Sequence, residues 1–97
     1  MTTILLVDPA TLYLPSSRLQ GADPAKLARQ FSRFGVSVQG MPRPFVLRCL
    51  DGKLVLWDGV TRSSRVAKYL PGTLIEVEVI GSFGTLQDGW PTVGDRT

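Results

Sequence analysis

The chain has 97 residues, the material of one domain with one hydrophobic core. Its hydrophobic fraction of 43% is ordinary for a globular protein and its charged fraction of 20% slightly low, which excludes wholesale disorder. A net charge of +3, no histidine and a single cysteine, Cys49, exclude an internal disulfide, a Cys/His zinc site and any nucleophile–histidine dyad. Catalysis would fall to carboxylates, hydroxyls, Arg, Lys, Tyr or an oxygen-ligated metal, and the positive excess suits a phosphate-bearing partner. No apolar run approaches the ~20 residues of a bilayer-crossing helix. The start Met1-Thr2-Thr3-Ile4 lacks the basic flank and long apolar stretch of a secretory signal, so a cytoplasmic protein with no membrane partner is expected.

Ile4 to Val7 reads as a short apolar strand closed by Asp8-Pro9. The stretch to about Ala22 mixes Pro15, Ser16, Ser17 and Gly21 without a clear period and reads as a loop. Asp23-Pro24 is a strong helix start, an N-cap carboxylate followed by proline at the first helical position. The helix runs to Gly35, with Leu27, Phe31 and Phe34 at core-facing spacing and Lys26, Arg29 and Arg33 on a face that reads as solvated. Met41-Pro42-Arg43-Pro44 holds the chain extended into a strand, Phe45 to Leu50. Asp51-Gly52 is a hairpin turn, and Leu54 to Trp57 returns as its partner. Phe45, Leu47 and Cys49 share one strand face, so Cys49 reads as a small buried apolar residue.

A turn at Asp58-Gly59 leads to a second helix, Thr61 to Leu70, ended by Pro71-Gly72. The last strand, Thr73 to Ile80, alternates Ile75, Val77 and Val79 inward with Glu76 and Glu78 outward. The expected fold class is α/β (α+β), a small mixed sheet with a central hairpin packed against two amphipathic helices. Residues 1–81 form the domain. Residues 82–97, rich in Gly, Asp and Thr, read as a loosely held tail that Trp90 can anchor.

The strand-to-helix turn Asp58-Gly59-Val60-Thr61-Arg62 is the place where charge can be read. Free N–H groups and the dipole of a helix start favour an anion, and glycine admits a close approach to the backbone. Arg62 in a first turn opposes the dipole unless an anion sits beside it, and Arg65, three residues on, shares its face. Spacing alone favours a structural role: Asp58 and Thr61 as caps, the arginines solvated or paired with Glu76 or Glu78.

Resemblance shifts that balance. Pro42-Arg43-Pro44-Phe45-Val46-Leu47-Arg48, then Asp51-Gly52-Lys53, Asp58-Gly59-Val60-Thr61-Arg62 and Ile75-Glu76-Val77-Glu78-Val79 together resemble the ParB N-terminal/sulfiredoxin-like superfamily. The likeness covers about residues 4 to 80, with the helix Asp23 to Gly35 in its expected place and Pro15-Ser16-Ser17-Arg18 as a faint echo of a further motif. It implies that the Gly-x-x-Arg turn contacts phosphate groups of nucleic acid or nucleotide through Gly59, Thr61 and Arg62, and Arg65, on the face of Arg62, is the further phosphate-binding candidate. Two departures matter. Sulfiredoxins carry Cys where Val60 stands, which excludes their chemistry, and cytidine-nucleotide-binding members carry Glu-Arg where Val60-Thr61 stand. The Asp-Gly-Val-Thr-Arg form is closer to ParB-like domains described as nucleases, some at the ends of bacterial toxins. That likeness makes Asp58 and Arg62 the candidate catalytic pair. Asp58, Glu76 and Glu78 are candidate oxygen ligands for Mg²⁺, though outward Glu on an exposed strand is commoner. Trp57 and Trp90 can stack a base, yet Trp57 reads first as a residue packed in or beside the core. Two functions follow: a phosphate-handling domain extending to nuclease activity, or a non-catalytic protein-interaction module on the same fold.

Overall fold

The Asp51-Gly52 turn brings Phe45–Cys49 (β2) back onto Leu54–Asp58 (β3), with Val46 opposite Leu56 and Leu47 opposite Val55. A computed structural model, describing residues 2–97, adds Thr3–Val7 (β1) and Ile75–Phe83 (β4) to this hairpin. The result is an α+β domain with a four-stranded mixed sheet in the order β1-β4-β2-β3. The hairpin is not central, because β4 inserts between β1 and β2. It pairs antiparallel with β1 and parallel with β2. Strand β4 also runs past Ile80, and its shift in register against Leu47 pairs Leu47 with Gly81 and Cys49 with Phe83.

The two helices are Pro24–Phe34 (α1) and Val60–Tyr69 (α2). Alternation along the strands sends Val46, Leu56, Ile75 and Val77 to one face, where Val60 and Val66 of α2 complete a buried cluster with Leu12, Leu14 and Val93. Each such aliphatic side chain is worth roughly 1.5–3 kcal/mol of transfer free energy. Helix α1 departs from the expected packing. All eleven of its residues are exposed or half-buried, and it lies on α2, with Phe31 meeting Tyr69 at a ring separation of 4.5 Å. Its apolar stripe of Leu27, Phe31 and Phe34 is one helix face wide, and α2 already covers that side of the sheet.

Residues 82–97 also behave differently from a loose tail. Val93 is fully buried in the core, Trp90 Nε1 donates to the Leu14 carbonyl at 2.7 Å, and Arg96 Nε donates to the Leu19 carbonyl at 3.0 Å. Tyr13 bridges β3 at Val55 on one side and Thr92 on the other, so the final residues prolong the sheet beyond β3. Trp90 anchors the segment as its sequence allows, while polar and glycine-rich composition hid the part played by Val93, Arg96 and backbone pairing. The tail thereby fixes the segment from Leu12 to Gly21, which becomes one wall of the site.

Candidate functional site

Asp58 ends β3, Gly59 turns the chain, and α2 begins at Val60, one residue before the expected Thr61. Gly59 is the N-cap, with φ 104°, a left-handed conformation that suits glycine. A Cβ there would lie 2.7 Å from Cβ of Pro44, the buried residue leading into β2. No side chain caps α2, and its first turn holds no acidic residue. Thr61 stands inside the helix and does not cap it.

The turn opens into a cleft of about 540 Å³, a volume within the range of small-ligand sites. Four cations line it: Arg18 from the Ser16–Arg18 turn, Lys26 and Arg29 from α1, and Arg62 from α2. Lys26 and Arg29 are therefore part of the site and not merely a solvated face. Arg33 points elsewhere, its guanidinium 5.3 Å from the Phe34 ring centroid. Asp58 is the one carboxylate among the described residues lining the cleft. It is exposed and pairs loosely with Arg62, Oδ2 to Nη2 at 3.4 Å. Arg62 itself is mostly covered, and its Nε, like Oε1 of neighbouring Gln30, is sheltered without a hydrogen-bond partner among the described residues.

Arg65 does not join Arg62. It is fully buried, donating from Nη1 to the Gly35 carbonyl at 2.6 Å and from Nη2 to Met41 Sδ at 3.3 Å, with its guanidinium 5.2 Å from the Phe34 ring centroid. Burial pushes its pKa below the ordinary arginine value. A role for Arg65 in phosphate contact is corrected accordingly: the side chain caps the C-terminus of α1 and ties it to α2. Three residues along a helix is a rotation of ~300°, enough to send neighbours on one broad face to opposite sides of a packed seam.

The carboxylates do not converge either. Phe45 separates Asp58 from Glu78 in the sheet, and Glu76 pairs with Arg43 at 3.7 Å. Among the described residues no three His, Cys, Asp or Glu side chains gather to hold a metal, so the donor set does not fit Mg²⁺. Cys49 is buried and unpaired on the hairpin, its thiol pKa pushed up by burial and, secondarily, by the charge of Asp51.

Sequence reasoning also placed Trp57 beside the core, whereas 66% of it is exposed. The signal was present: Leu54 and Leu56 point inward, so alternation sends Trp57 outward. It stands at the rim of the cleft.

Fold and site define a small α+β domain with a basic cleft at a helix start. Comparison with protein-family models, curated proteins and solved structures finds no match. Among the described residues no helix is long and apolar enough to cross a membrane.

Proposed function

We propose that this chain is a phosphate-binding domain that takes nucleic acid or nucleotide in the cleft at the start of α2. The observation that carries the reading is that Arg18, Lys26, Arg29 and Arg62 line one cleft with Gly59, Val60 and Thr61, the start of a helix that no side chain caps. A cation in a first helical turn is unfavourable alone and favourable with an anion between it and the N–H groups. The finer likeness to the ParB/sulfiredoxin fold supports the same ligand class, since it too points to the Gly59–Arg62 turn.

The reading is one of binding. A nuclease step would call for an acid–base pair, and Asp58 is the one carboxylate among the described residues lining the cleft. A protein-interaction module would use the apolar surface next to the cleft and would not need the four cations.

Calorimetric titration with inorganic tripolyphosphate tests the proposal. Arg62→Ala should weaken binding roughly tenfold or more, the value of a charge-assisted contact. Arg33→Ala, which removes an equal charge outside the cleft, should change it far less. Equal losses would reduce the effect to net charge and overturn the reading.

A further inference from the structure

Beside the cleft lies a groove of about 620 Å³ on the sheet face opposite the core. Val55 and Leu47 floor it, and three aromatic rings line it: Trp57, Phe45 and Phe83. Trp57 is 66% exposed and Phe83 36%, a costly display of aromatic area on a sheet face unless something covers it. Behind the floor, Leu47 packs closely on the backbone of β4. Gly81 sits opposite Leu47 in the β2–β4 pairing, and a Cβ there would come within 3.2 Å of Leu47 Cδ2.

The groove and the cleft adjoin. Pro15, Ser17, Trp57 and Asp58 line both, so Trp57 forms the ridge between a cationic compartment and an aromatic one. A ligand crossing that ridge must carry phosphate on one side and flat apolar surface on the other. A nucleotide unit does so. A mononucleotide would use Trp57 alone, whereas Phe45 and Phe83 extend the aromatic surface for further bases. In a duplex the base faces are already stacked and out of reach of such a platform, while a single strand offers them.

Resting on the phosphate reading above, we propose that the ligand is a single-stranded nucleic acid. One phosphate lies at Gly59–Arg62, the adjoining base stacks on Trp57, and the next bases run toward Phe83. A peptide in the groove would leave the cations unmatched, so the charge beside the groove favours the polyanion.

Fluorescence anisotropy with labelled dT10, U10 and a ten-base-pair duplex, alongside tripolyphosphate calorimetry, tests this. Single strands should bind more tightly than the duplex. Trp57→Ala should weaken dT10 about 5- to 150-fold, the range of one lost base–aromatic stack, and by a clearly larger factor than it weakens tripolyphosphate. Trp57→Phe, which keeps a ring, should recover most of the loss. A duplex that binds as tightly as dT10, or a Trp57→Ala loss below about fivefold, overturns the single-strand proposal. The phosphate reading then stands by itself if tripolyphosphate still depends on Arg62. Failure of tripolyphosphate to bind the parent protein removes both.

Discussion

Replacing Arg65 separates a structural arginine from a ligand-binding one. The side chain is fully buried with no carboxylate partner among the described residues, so its charge is held by the Gly35 carbonyl, the Met41 sulfur and the Phe34 ring. A hydrogen bond to a charged donor is worth about 1.5–3 kcal/mol. The stack on Phe34 adds about 0.5–2 kcal/mol, and truncation to alanine leaves a cavity. Against these stands the relief of a buried, unpaired charge, the same desolvation that lowers the pKa. A net loss of about 2–4 kcal/mol follows for Arg65→Ala, or roughly 8–32 °C in Tm at this chain length. Arg65→Met keeps most of the volume, removes the charge and leaves the Gly35 carbonyl and the weakly accepting Met41 sulfur without their donor, so it should cost less than alanine. Chemical denaturation of the three proteins measures the order, and tripolyphosphate titration below the transition measures the site. If Arg65→Ala costs less than about 1 kcal/mol while weakening phosphate binding as much as Arg62→Ala, the buried-strut account is refuted.

Three further outcomes follow from the same geometry. Gly59→Ala combines a left-handed backbone with a 2.7 Å approach to Pro44 and should lose at least about 2 kcal/mol, seen as a drop of roughly 8–16 °C in Tm; a change under 1 kcal/mol would mean that the turn relaxes freely. Asp58→Asn removes a negative charge from the cleft and should tighten tripolyphosphate about three- to tenfold, taking one unit charge at ~6 Å in a half-screened environment. Weaker binding by that variant would instead make Asp58 an essential organiser of Arg62. Cys49, buried and with its thiol pKa raised, should react with a thiol reagent at pH 8 far more slowly than the unfolded chain does. The sign is that of a neutral form favoured by folding: stability from this group is full below the unfolded thiol pKa and falls as pH rises above it. Rapid labelling of the native protein would place Cys49 at the surface.

Much of the scaffold was legible because local rules decide it. Asp23-Pro24 caps α1 as its sequence demands, with Asp23 Oδ1 accepting from Ala25 N–H at 2.8 Å, and Asp51-Gly52 turns the hairpin. Alternation in Ile75–Val79 gives β4 its buried face at Ile75 and Val77. What sequence could not carry were the non-local choices. Whether β4 adds beside β1, beside β2 or between them depends on chain connection and not on pattern. The tail's pairing with Tyr13 is a backbone contact, indifferent to side-chain composition. The site was legible as a turn but not as a cleft. Gly59 makes the turn and Arg62 stands in the first turn of α2 as the sequence predicted, while Arg18, Lys26 and Arg29 join the cleft only through the tertiary placement of α1 and the Ser16–Arg18 turn. Arg65 was misread for a related reason: a buried arginine and an exposed one look alike until the neighbour that buries it is known.

Amide chemical shifts test the central claim most directly. Titrating ¹⁵N-labelled protein with tripolyphosphate should move the amide resonances of Gly59, Val60, Thr61 and Arg62 most. Smaller shifts should follow at Ser17, Arg18 and from Lys26 to Gln30, with saturation at one equivalent. Perturbations that spread equally to exposed cations outside the cleft, such as Arg48 and Lys68, or that leave residues 59–62 unmoved, would contradict a phosphate site at the start of α2.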